Sequence, residues 1–447
     1  MDTVADLKCA HHVCSASTSA MTKLPIRAPS VAGSCPSSAT HFGVSLAALA
    51  CLLAAAVALR RWPVDNSTRV FILLLAAALP VGLGDFAILK VHRRASTGLD
   101  WSRGLQFDAT RALTKLLGLA VTLGAIGLAY WVFPEYHGDF YDPFFRPLRR
   151  YAAPLAAVAV LYVTLVDGLM CNPRDAYWQL GRAALGKFSD LRRADLANHA
   201  RGWLVKAFFL PLMVAYVHGT AGRVFDFSLD GANWANLRLY DFLHEAVFLV
   251  DLTFTVIGYV LSLRLADAHL RSAEPTVLGW AVALFCYQPF YSLWERQYVP
   301  YGGPGFEAAL SQWPTLRALW AGAIIALVVV YALSTITFGW RFSNLTHRGI
   351  LTNGPFRFTK HPAYLSKNLS WWMVSMPFAL AGPPAETLRH CLMLLCLNAI
   401  YYLRARTEER HLSRDPQYVA YALWINEHGA FRALGRWFPF FRYTDAR

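Results

Sequence analysis

Ten runs of apolar residues set the pattern of the chain: 42–59, 70–89, 113–133, 151–170, 203–219, 242–263, 276–293, 316–338, 369–382 and 388–403. Several approach the about 20 residues that a helix needs to cross the hydrocarbon core of a bilayer. They predict an all-α, polytopic transmembrane helical bundle of about ten spans, the shorter ones tilted, kinked or re-entrant. The opening stretch, 1–41, is rich in Ser, Ala, Thr and Pro without periodicity and reads as disordered. It lacks the apolar core directly after a basic start that marks a signal peptide, and Met21 reads as an alternative start. A turn-rich stretch, "PYGGPGFEAALSQWP", separates an N-terminal transmembrane region over 42–300 from a C-terminal membrane domain over 310–447.

Composition agrees with this pattern. Hydrophobic residues make up 56% of the 447 and charged residues 16%, against about 25% charged in soluble domains. The chain is therefore expected to be a multi-pass integral membrane protein. Its net charge of +14 would suggest nucleic acid in a soluble protein. Here it reads as basic cytoplasmic loops and attraction to anionic headgroups of membrane lipids, with no nucleic-acid partner. Lys and Arg concentrate after the second, fourth and eighth runs, as in Lys90, Arg93 and Arg94, or Lys187, Arg192 and Arg193. That asymmetry puts the even-numbered run ends, and both termini, in the cytoplasm.

Eight cysteines are scattered and imply no disulfide framework. Cys9, His11, His12 and Cys14 have no second ligand cluster, so no metal site is expected. No dinucleotide glycine fingerprint, phosphate-binding loop, His-Glu-x-x-His zinc motif or serine nucleophile elbow is present. Asp85, Asp167, Glu245 and Asp251 fall within apolar runs, where acids are costly and often functional. Asp241, His244, Glu245 and Asp251 are spaced to share a helix face, either lining an acceptor cavity or forming buried polar pairs.

The segment that breaks the pattern is "GPFRFTKHPAYLSKN", 354–368. It is basic, carries two prolines that stiffen the backbone, and precedes a Trp-rich run with Trp371 and Trp372, read as an interfacial aromatic belt. Irregular backbone at membrane depth is tolerated where it is buried in protein or lines a cavity. The last apolar run continues into "YYLRARTEERHLSRDPQYVAYALWI". Positions 404, 408 and 411 share one helix face there, and Arg404 is spaced to pair with Glu408.

Together these two stretches resemble the isoprenylcysteine carboxyl methyltransferase family and the related membrane phospholipid methyltransferases. The match rests on Gly354, Pro355, Phe356, Arg357, Lys360, His361, Pro362 and Tyr364, then Arg404, Arg406, Glu408, Glu409, Tyr418 and Tyr421, within roughly the last hundred residues. Lys360 stands where the family carries Arg, keeping the charge without the planar fork. "LSKN" is more polar than the family's small or apolar sequel.

The resemblance implies a cytoplasmic cofactor pocket built from the C-terminal spans, the loop and the tail helix, and S-adenosylmethionine as cofactor. It implies a lipophilic small-molecule or lipidated acceptor, either an isoprenylcysteine-like carboxylate or a lipid headgroup. It assigns cofactor binding to Gly354, Pro355, Lys360, His361, Pro362, Tyr364, Glu408 and Glu409, and catalytic roles to Arg357, His361 and Arg404. The chemistry suits those residue types. Carboxylates can accept from the amino group or ribose hydroxyls of the donor, and basic residues can take its carboxylate. Two other readings compete: a sterol-type reductase using NADPH, and a transporter or lipid-binding membrane protein whose acids over 241–251 form a polar pathway.

Overall fold

The computed structural model describes residues 34–380, 382–438 and 441–444. The stretch holding Cys9, His11, His12, Cys14 and Met21 lies outside the described residues, as does most of the segment read as disordered. Residues 34–41 differ from that reading, because they are tied down. Ala39 N–H donates to Ile350 O at 2.8 Å and Thr40 Oγ1 donates to Thr337 O at 2.8 Å.

The described residues are mostly helical, with almost no sheet. In order the helices are α1 (Phe42–Leu59), α2 (Asn66–Leu83), α3 (Ala109–Val132), α4 (Asp142–Arg150), α5 (Ala152–Leu169), α6 (Ala176–Ala184), α7 (Arg193–Asp226), α8 (Arg238–Val260), α9 (Val277–Leu284), α10 (Phe290–Tyr298), α11 (Gly305–Ala309), α12 (Pro314–Thr337), α13 (Pro362–Ser375), α14 (Pro384–Leu412), α15 (Pro416–His428) and α16 (Arg432–Trp437). Among the described residues, seven are long and apolar enough to cross a membrane: α1, α2 with its continuation to Ile88, α3, α5, α7, α8 and α12. This supports a helical multi-pass membrane protein.

Three of the ten expected spans take another form. The 276–293 run is broken into α9 and α10, because Pro289 stands where a continuous helix would need a backbone N–H. The 369–382 run ends at Ser375, with Met376 left-handed and Pro377 following. The 388–403 run is the middle of the 29-residue α14, which continues to Leu412 as one helix.

The chain divides into two compact units. One holds Gly82–Ala215 and Tyr259–Ala273. In it α3 and α6 approach backbone to backbone. A Cβ added to Gly118 would lie 1.8 Å from Tyr177 O, and one on Gly181 would lie 1.8 Å from Thr114 O. Small residues at such a crossing are how helices pack closely without a hydrophobic driving force. Buried Asp167 is neutralised by Lys115 Nζ at 2.9 Å and Arg111 Nε at 2.8 Å.

The other unit holds residues 34–81, Tyr216–Gly258 and the chain from Glu274 onward. Its cores gather α15 with Ile350, Leu351 and Phe356, α12 with Phe306 and Met376, and α14 with the rings of Trp371 and Trp372. Those two tryptophans pack inward on Leu394, Leu397 and Tyr401, where an aromatic belt was expected.

Candidate functional site

The 354–368 segment is held by its own backbone and by the tail helix. Gly354 has φ +55°, and a Cβ there would lie 2.7 Å from the Phe42 ring and 2.9 Å from Thr337 Oγ1, so the turn needs glycine. Pro355 then sits in the first turn of a 3₁₀ segment, Gly354–Arg357. The α15 residue Tyr421 donates its hydroxyl to Phe356 O at 2.6 Å, and Ala430 N–H donates to Phe358 O at 2.8 Å. These bonds aim Lys360 and His361 at α14. Pro362 opens α13 at its first turn, where a missing N–H costs nothing.

The paired acids of α14 receive that segment. Glu409 Oε1 is 2.5 Å from Lys360 Nζ and accepts from His361 Nε2 at 3.0 Å, while its Oε2 is 2.9 Å from Arg406. Burial alone would raise the Glu409 carboxyl. The hydrogen bond from His361 and the charges of His361 and Lys360 outweigh burial and hold it at about 2. Its neighbour Glu408 accepts from the Tyr364 hydroxyl at 2.8 Å. The His361 ring stacks on Tyr364, centroids 5.5 Å apart and 6° from parallel.

A cavity opens beside this junction. Lys360, His361, Pro362, Tyr364, Arg404 and Glu408 line it, together with Glu274, Tyr287, Tyr331, Asn344, Lys367 and His411. Both halves of the sequence motif, about forty residues apart, thus meet at one cavity, and positions 404, 408 and 411 do share the face that lines it.

Other candidates are placed elsewhere. Glu409 sits behind the wall, holding Lys360 and His361. Gly354 and Pro355 shape the turn and do not line the cavity. Arg357 is exposed, its guanidinium 5.7 Å from the centre of the Trp424 ring, also off the lining. Arg404 does not pair with Glu408. It donates to Asn344 Oδ1 at 2.6 Å and lies over the rings of Tyr364, Tyr287 and Tyr401 at 5.1, 5.6 and 5.9 Å. Asp241, His244, Glu245 and Asp251 are all off the lining, and Glu245 pairs with Arg223 at 3.0 Å.

The acids that do line the cavity are Glu408 and one not singled out in the sequence, Glu274. Glu274 Oε1 accepts from Thr276 N–H at 2.9 Å, and its Oε2 is 3.6 Å from His411 Nδ1. Nothing local in "SAEPT" announces this role, because its partner lies on α14. Lys367 carried a readable signal, as a cation at the edge of an apolar run. The cavity therefore offers Arg404 and Lys367, which have no acid partner among the described residues, a carboxylate held by a neutral hydroxyl, and several aromatic rings. Such a set suits a ligand bearing both charges. No protein-family model, curated protein or solved structure matches the chain.

Proposed function

We propose that the chain is an integral-membrane methyltransferase that uses S-adenosylmethionine and acts on a lipophilic acceptor at the cytoplasmic face. The observation that carries this reading is the junction of the two motif halves, Tyr364 to Glu408 at 2.8 Å beside His361 to Glu409 at 3.0 Å, on one cavity.

The residues present fit the donor. Glu408, whose partner is a neutral hydroxyl, would accept from its amino group. Arg404, held among the described residues by an amide oxygen and ring faces, would take its carboxylate as a charge-assisted pair. Tyr287 offers a ring for the adenine or the sulfonium. The donor supplies an electrophilic methyl group whose sulfur leaves as a neutral thioether. What the chain contributes is alignment and exclusion of water.

A carboxylate acceptor is already ionised at neutral pH and needs no base. An amine, thiol or phenol would need one. Glu409, held at about 2, is too weak for that work.

The test uses membranes containing the full chain and methyl-tritiated S-adenosylmethionine. Label is expected in an organic-soluble product, a lipid 14 daltons heavier, and Glu408→Gln should lower it about tenfold, which corresponds to about 1.4 kcal/mol. Absence of chain-dependent label from both the lipid and the protein fractions would overturn the proposal.

A further inference from the structure

The polar sequel to Tyr364, Ser366-Lys367-Asn368, is where this chain departs from the pattern it resembles. Two of its three side chains are satisfied within the helices. Ser366 Oγ donates to Pro362 O at 2.9 Å. Asn368 Nδ2 donates to Tyr364 O at 2.6 Å, and its Oδ1 accepts from Asn398 at 2.5 Å.

Lys367 is different. Three residues after Tyr364 it faces the same way and lines the cavity. No described carboxylate lies within 4.0 Å of its Nζ. Instead Nζ sits 5.4 Å from the Tyr331 ring centre, 5.3 Å from that of Trp371 and 5.8 Å from that of Tyr401. The acid whose charge reaches it is Asp251, on α8 and off the lining. Arg404, 5.9 Å from the same Tyr401 ring, adds a second positive charge nearby. Ring faces attract an ammonium but replace only part of its hydration. A cation kept in an aromatic cage and open to a cavity is thus completed by an anion entering that cavity.

We propose that Lys367 is an anion subsite, receiving a carboxylate or phosphate carried by a lipophilic molecule. Naming that molecule the methyl acceptor rests on the reading above; the subsite itself does not. Tyr331, Trp371 and Tyr401 supply the apolar surface beside the charge.

The experiment uses the purified full chain in detergent and three probes of equal chain length: palmitate, hexadecyl phosphate and hexadecanol. At least one acid probe should bind about tenfold more tightly than the alcohol. Lys367→Met should remove that preference and Lys367→Arg should keep it. Binding of tritiated S-adenosylmethionine to Lys367→Met should stay within about twofold of the unchanged chain, which also shows that the variant folds. Which acid probe wins tells a carboxylate from a phosphate ligand. Equal binding of acids and alcohol would overturn the proposal, as would a preference that survives Lys367→Met. So would a loss of donor binding in Lys367→Met, which would assign Lys367 to the donor. If acids bind through Lys367 and the donor does not bind at all, the methyltransferase reading fails and the subsite stands.

Discussion

Glu409 is the residue on which the site's geometry turns. It holds Lys360, His361 and Arg406 at once, and its side chain is 6% exposed. Glu409→Gln leaves Lys360 buried beside a neutral group, a loss on the order of 3 kcal/mol, readable as a lower unfolding midpoint in detergent. The sign of the pH effect follows from the depressed carboxyl. With a folded value of about 2 against an ordinary 4.5, its stabilisation is complete above about pH 4.5 and lost as pH falls toward 2. The difference in midpoint between the unchanged chain and Glu409→Gln should therefore shrink between pH 5 and pH 3. A difference that grew on acidification would contradict the assignment. Arg357, by contrast, is itself exposed and lies over the ring of Trp424, so Arg357→Ala should cost less than about 1 kcal/mol and leave donor binding unchanged. Spacing alone made Arg404, Glu408 and His411 legible as one face. It could not reveal that Arg404 turns to Asn344 and Glu408 to Tyr364, because those partners come from distant elements.

At the scale of elements, apolar runs located the helices well, and prolines decided where the reading failed. Pro289 and Pro377 end runs that hydropathy alone counted as continuous. Tight contacts were invisible to pattern, since a glycine at a helix crossing looks like any other. Gly181→Ala would push a Cβ into Thr114 O, whereas Gly124→Ala meets nothing within 4 Å. The first should lower the unfolding midpoint clearly, by an overpacking cost of about 1–3 kcal/mol. The second should leave the midpoint unchanged or raise it slightly, as helix propensity favours Ala. Equal midpoints for the two variants would mean that α3 and α6 do not meet at these glycines.

For the whole molecule the sidedness of the cavity depends on the broken 276–293 run. Seven uninterrupted spans would put the 354–368 segment on the opposite face from the N-terminus. Yet Thr276 Oγ1 accepts from Arg410 at 3.2 Å, at the C-terminal end of α14. Later, Gly303 lies against Ser375 O, at the C-terminal end of α13. Since α13 and α14 run antiparallel, with Tyr364 on Glu408 and Trp372 on Asn398, α9 and α10 together travel the length of α13. We propose that this broken pair crosses as one span. Alkaline phosphatase fused after Gly302 should then be active, and fused at the C-terminus inactive; the reverse pattern would turn the cavity away from a cytoplasmic donor.

The most direct measurement is equilibrium binding of tritiated S-adenosylmethionine to the purified chain in detergent, with Glu408→Gln alongside. Saturable binding, weakened about tenfold or more by the variant, is the predicted result. No saturable binding at millimolar donor, or equal affinity for both proteins, would contradict it.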